Sequence, residues 1–172
     1  TQDGVGVRNA GHIGASSGGL VLTADGRLVN SGRIQSKSAR VEIKTTDTVE
    51  NTGSIVTDDA LSVSANGSLS NAGDINAGRD ISLYALGEVS NSGRVWSANN
   101  VTIDAEGASG AFRGASGSLL AAGVDANGSI GNSGQITVNA VVFLGNAGAA
   151  HSGQNLAFSA DQIDLSNSRV SS

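Results

Sequence analysis

Asp104 and Asp125 are the residues best placed by type and spacing to do chemistry in this chain. Each follows the second apolar residue of a similar run, "VTIDAEG" and "AGVDANG", with Glu106 and Asn127 two positions on. On neighbouring strands, two such carboxylates could hold a cation or act as the acid and base of glycoside cleavage. The plainer reading is a solvated outer face, since charged side chains on a β surface normally point to water. A second cluster is basic: Arg33, Lys37, Arg40 and Lys44. It suits an anionic glycan such as a sulfated polysaccharide or a lipopolysaccharide phosphate, or else it is an ordinary charged loop with Glu42 and Asp47 nearby. His12 and His151 have no partner at metal-ligand spacing. No G-x-S-x-G nucleophile turn and no calcium-binding G-G-x-G-x-D repeat occurs. "ASSGGL" and "RGASGSLL" are glycine-rich, but neither opens a helix onto a phosphate site. Tyr84 and Trp96 are the sole Tyr and Trp, so platforms for stacking sugars are scarce. The expectation is a chain that is no enzyme, with no catalytic residue, no metal and no cofactor.

The elements that would position these residues come from a repeat. Asn-x-Gly recurs in "VRNAGHI", "LVNSGRI", "VENTGSI", "LSNAGDI", "VSNSGRV" and "IGNSGQI", placing Asn9, Asn30, Asn51, Asn71, Asn91 and Asn132. The first four intervals are 21, 21, 20 and 20 residues, and the last is 41, or two units. Within a unit, Leu61, Val63, Ala65, Gly67, Leu69, Asn71, Gly73 and Ile75 are all odd-numbered. That is β alternation with one face inward. It is longer than a straight strand, so the chain bends, and small residues sit at the bends. Spacers such as "QSKSAR" and "NAGRD" absorb the one-residue difference, because a slip inside a strand would turn every later side chain outward. Units of this size stack as a solenoid of 20–21-residue coils, with the asparagines forming a ladder of corners along it. About eight coils at roughly 4.8 Å each give a rod on the order of 40 Å. Zero proline agrees, because each would remove a donor from the ladder.

Two places break the rule. "AEGASGAFRGASGSLLA" (105–121) puts Arg113 at a glycine position, so that corner must be rebuilt. "FLGNAGAA" (143–150) places Asn146 only 14 residues after Asn132, too few for a coil. Irregular coils are therefore expected within 105–150. Residues 1–172 read as one β-helical segment, and the lack of a polar cap at either edge suggests a piece cut from a longer filament.

Composition narrows the class. The 172 residues include 25 Gly, no Cys and only five aromatic side chains, yet ample Val, Ile, Leu and Ala. This excludes disulfides and thiolate metal sites and argues against disorder. The net charge is −5, and no run approaches eighteen apolar residues. A nucleic-acid partner and a membrane-spanning helix are therefore not expected.

The run "LSNAGDINAGRDISLYALGEVSNSGRV" and its neighbours resemble the repeats of filamentous haemagglutinin and of contact-dependent growth inhibition exoproteins. The resemblance is clearest over 5–104 and 122–138. It implies an all-β, right-handed parallel β-helix in a secreted filament at the surface of Gram-negative bacteria. It implies export through an outer-membrane partner transporter, and virulence-related adhesion to host cells or toxin delivery to neighbouring bacteria. A host-cell or bacterial surface receptor or glycan would then be the target. The alternatives left by the residues are a binding module centred on 105–150 and a carbohydrate-active enzyme at Asp104 and Asp125.

Overall fold

The computed structural model describes residues 4–145 and 148–172. Strands of three to five residues alternate with tight corners, and no α-helix occurs among the described residues. They assemble three parallel sheets of eight, eight and seven strands. The first sheet takes Val5–Asn9, Arg27–Asn30, Val49–Asn51 and their successors. The second takes His12–Ala15, Arg33–Ser36, Ser54–Thr57 and onward, and the third Leu20–Ala24, Val41–Thr45, Leu61–Ala65 and onward. Each pass of the chain visits every sheet once and returns one strand further along. The result is a parallel β-solenoid of about eight turns.

Alternation puts one apolar column per sheet into the interior. Leu28, Val49, Leu69 and Val89 stack in the first sheet, Ile34, Ile55, Ile75 and Val95 in the second, and Ile43, Val63, Leu83 and Ile103 in the third. All are at most 1% exposed. Like side chains meet like at each level, so burying them removes apolar surface from water without leaving gaps.

The glycine of Asn-x-Gly has a specific role. A Cβ on Gly53, Gly73 or Gly93 would run into the carbonyl oxygen of the corresponding glycine one coil below. None of these three has a positive φ. Close backbone approach, not left-handed geometry, therefore fixes the residue type. The ladder asparagines likewise keep negative φ; Asn167 is the one non-glycine residue with positive φ among those described.

One coil is much longer than the others. Leu20, Val41, Leu61, Ile81 and Val101 stand opposite one another at steps of 21 and then 20 residues. Val101 is next opposite Ile136, a step of 35, and Ile136 opposite Leu156, a step of 20. The sequence divides 91–132 into two coils. The chain instead makes one long coil there, whose largest excess lies between the second and third sheets. The step from Ser97 to Val101 is matched one coil later by the step from Ala122 to Ile136. "AGVDANGSI" is thus not a strand of the third sheet. Gly123 and Gly128 take φ of 77° and 81°, Val124 bridges antiparallel to Ile130, and the segment doubles back on itself.

Arg113 is also displaced from its expected position. It stands opposite Ser90 on the outside of the first sheet and forms an ion pair with Glu88. Gly114 takes the asparagine position, opposite Asn91. Phe112 and Phe143 continue the column of Val89, ahead of Ile163. Their rings lie 5.1 Å apart, and Phe158 of the third sheet packs 4.5 Å from Phe143. Asn146, in the expected short interval, lies outside the described residues.

Candidate functional site

The asparagine corners form one hydrogen-bonded line. Asn9 Nδ2 donates to Asn30 Oδ1 at 2.7 Å, Asn30 to Asn51 at 2.7 Å, Asn51 to Asn71 at 2.7 Å and Asn71 to Asn91 at 2.8 Å. All five are at most 5% exposed. Asn71 Nδ2 also donates to the carbonyls of Gly73 and Arg94 at 3.1 and 3.2 Å, tying its own corner to the one above. A buried amide left unpaired would cost about 1–3 kcal/mol, so each residue depends on its neighbours. Asn132 does not join this line. It is exposed, outside any strand, in the long stretch before Ile136. The line ends at Asn91, whose Nδ2 donates to the Leu119 carbonyl at 3.1 Å.

Asp104 and Asp125 are not neighbours. The outward column of the third sheet reads Thr23, Lys44, Ser64, Tyr84, Asp104 and then Asn139. Asn139 Nδ2 donates to Asp104 Oδ1 at 2.7 Å. Asp125 sits in the doubled-back segment, where one carboxylate oxygen accepts from the N–H of Asn127 and of Ser129, both at 2.9 Å. These are the roles of a carboxylate accepting from a surface amide and of a turn brace. Tyr84 lies beside Glu106 and Asp104; desolvation, and then the adjacent Glu106 carboxylate, hold its phenol above the ordinary tyrosine range. Among the described residues no group of three or more His, Asp or Glu comes together as a metal site would require.

The four basic residues divide between two faces. Arg33 lies in the second sheet, with Nε donating to Gln35 Oε1 at 2.8 Å. Lys44 lies in the third sheet, and Lys44 and Arg40 both pair with Glu42. Hydrogen bonding and charge from Lys44, with a smaller contribution from Arg40, hold the Glu42 carboxyl below its ordinary range. Arg40 and Lys44 therefore share a single negative charge, which compensates one of the four positive charges locally. His12 and His151 lie at opposite ends of the second sheet, and His151 Nδ1 is 2.6 Å from Ser171 Oγ.

The phenylalanine stack went unseen in the sequence, although a signal for it exists. "FRG" and "FLG" keep the spacing of "LSN" and "VSN" with both residue types changed together.

The repeated coil thus positions the asparagine line from Asn9 to Asn91, and comparison with known proteins bears on that unit. The family model of the haemagglutinin repeat matches residues 1–32, 33–123 and 87–172. The chain belongs to the haemagglutinin repeat family. Among curated relatives, Toxin CdiA of Yersinia pestis is 53% identical over 53 residues, which is 31% of this haemagglutinin-repeat chain and 2% of that protein. The chain therefore corresponds to a small part of the length of this relative. No solved structure matches it. No helix among the described residues is long and apolar enough to cross a membrane.

Proposed function

We propose that this segment is a stiff spacer in the filament of a secreted bacterial surface exoprotein, of the kind that includes filamentous haemagglutinin and the contact-dependent growth inhibition proteins. Its work is to hold a functional region away from the cell, and it catalyses no reaction. The observation that carries this reading is the parallel, coil-by-coil stacking from Val5–Asn9 through Gln162–Asp164. Each coil contacts its neighbours through apolar columns and corner amides, so length is gained by adding coils. Membership of the haemagglutinin repeat family and the likeness to Toxin CdiA support a parent of this type. Such a parent would leave the cell through an outer-membrane partner transporter and would serve adhesion or contact-dependent toxin delivery. The handedness proposed for the coil is right-handed, as crossovers between parallel strands nearly always are. Any contribution of the basic residues to binding an anionic glycan would rest on Arg33, Lys37 and the one positive charge left where Arg40 and Lys44 share Glu42.

Residues 41–80 form two whole coils, beginning at Val41 and ending just before Ile81, which lies two strands further along the same column. Inserting one, two and four copies after Asp80 should lengthen the particle linearly in small-angle X-ray scattering, by about 10 Å per copy. Growth as the square root of the inserted length would mark a flexible linker and overturn the spacer reading.

A further inference from the structure

Sorting the cationic side chains by their partners singles out one place on the surface. Ion pairs among the described residues take up Arg27, Arg40, Lys44, Arg79, Arg94 and Arg113. Arg33 and Lys37 enter none of them, and both are exposed. They meet at a groove on the outer face of the second sheet, where His12 stands opposite Arg33 and Gly14 opposite Gln35. Its lining is His12, Gly14, Ala15, Ser16, Gln35 and Lys37, and its volume is about 280 Å³. The glycine shapes the floor. A Cβ on Gly14 would stand 2.8 Å from Cε1 and Nε2 of His12, so the imidazole lies across the strand where a side chain would otherwise rise.

The walls are tied in place. Arg33 Nε donates to Gln35 Oε1 at 2.8 Å, Lys37 N to Ala15 O at 3.2 Å and Ser36 Oγ to Gly18 O at 3.2 Å. The first bond uses the side-chain acceptor of Gln35 and leaves Nε2 to donate. It also sets the guanidinium at the rim, with its terminal nitrogens making no further hydrogen bond among the described residues. The open side-chain groups are thus mainly donors: these nitrogens, Gln35 Nε2, the Lys37 ammonium and an imidazole N–H. Among the lining side chains, only the Ser16 hydroxyl and the second imidazole nitrogen can accept. No carboxylate lines the groove. Asp58, next to the Thr57 that stands opposite Ser36, forms no ion pair with Lys37.

A positively charged, donor-rich recess calls for an anion rich in acceptors. A neutral sugar would leave the donors unmatched, and the lining has no Trp, Tyr or Phe on which to stack it. A carboxylate brings two oxygens and a sulfate ester a single charge. A phosphomonoester brings three terminal oxygens and about −1.5 to −2 charges near neutral pH.

We propose that this groove binds the phosphomonoester group of a phosphorylated surface sugar. The phosphate oxygens meet the Lys37 ammonium, the terminal nitrogens of Arg33 and the His12 ring N–H, and the sugar lies over Ala15 against the Ser16 hydroxyl. Gly14 is a positioning residue, since its missing side chain is what lets the imidazole reach the floor. The inference narrows the glycan-binding reading to one site on the second sheet. The spacer reading, with its separate scattering test, does not depend on it.

The 172-residue chain has two histidines, so their imidazole resonances in proton NMR report on the groove, with His151 towards the other end of the sheet as internal reference. At constant pH the chain is titrated with glucose phosphate, glucose sulfate, glucose and inorganic phosphate. Glucose phosphate should give a saturable shift of His12 with a Kd on the order of 1 mM, and His151 should not move. Arg33→Gln and Lys37→Gln should each weaken binding about tenfold, as loss of one charge-assisted hydrogen bond implies. Arg113→Gln removes the same charge from the first sheet and should leave binding unchanged. No saturable shift of His12 up to about 20 mM glucose phosphate, or an equal shift with glucose, would overturn the proposal. So would inorganic phosphate binding as tightly, which would mean an ion site only, or glucose sulfate binding as tightly, which would remove the preference for phosphate.

Discussion

Between Arg27 and Asn91 the first sheet builds each corner one way: an aliphatic residue, then asparagine two positions on. Leu28 and Asn30, Val49 and Asn51, Leu69 and Asn71, and Val89 and Asn91 occupy the same two columns. From Ala111 onward those columns hold Phe112 with Gly114, and Phe143 with Gly145. A larger apolar group accompanies a missing side chain and takes up most of the space where the amide line ends, leaving a void of about 20 Å³ beside Asn91, Phe112, Gly114, Phe143 and Gly145. The same stretch tolerates a coil of 35 residues where its predecessors need 20. The difference teaches that this fold depends on inward parity and filled volume. The corner residue itself can be polar or absent, provided its neighbour compensates.

The comparison predicts graded effects. Removing the stack should cost most: Phe143→Ala, at a site 3% exposed between two other rings, should lower stability by about 3–5 kcal/mol in urea unfolding. A loss no larger than for a surface residue would mean that the aromatic column does not hold the later coils. In the regular part, Gly73→Ala should cost about 3 kcal/mol, because the added methyl meets the backbone of Thr52 and Gly53, which has no side chain to yield. Gly117→Ala is the control. A Cβ there meets nothing within 4 Å, so only its φ of 80° opposes it, at about 1–2 kcal/mol.

Asn71→Leu should cost about 2 kcal/mol by leaving the Asn51 donor and the Asn91 acceptor without their partner. Asn132→Leu should stay within about 0.5 kcal/mol, as for other exposed positions outside the ladder. Similar unfolding midpoints for the two leucine variants would remove the amide line as a source of stability. The smallest effect concerns pH. Lys44 and Arg40 depress the Glu42 carboxyl, so its contribution is present above the ordinary carboxylate range and is lost as pH falls through the depressed value. Glu42→Gln should therefore lower the neutral plateau slightly, leave stability unchanged below the depressed value, and so flatten the acid limb of the stability curve.

How far these features could be read from sequence follows from the same contrast. The parity of Leu61 through Ile75 exposed the inward face, and the recurrence of Asn-x-Gly located the corners whose amides form the line from Asn9 to Asn91. The same marker misled at Asn132. "AGVDANGSI" copies the letters of "LSVSANGSL", but Asp125 folds its carboxylate onto two backbone N–H groups and draws the segment into a turn. A local side-chain acceptor competes with a strand ladder in a way that apolar spacing does not record. Phe112 and Phe143 kept the parity but not the asparagine, so aligning on asparagine hid them. The candidate carboxylates failed for the same reason, since Asp125 was assigned to a column that Asn139 occupies. The bridge of Val124 to Ile130 depends on how the long coil folds back, which no repeat specifies.

The long coil is a single turn, which places Asn139 beside Asp104. The chain has no cysteine, so a pair can be introduced without competition. Oxidising the double variant Asp104→Cys, Asn139→Cys should give an intramolecular disulfide, since paired strands bring their Cα atoms within bridging distance. The parallel variant Asp104→Cys, Asp125→Cys should remain reduced under the same conditions. Crosslinking of the second pair and not the first would contradict the account and restore two short coils.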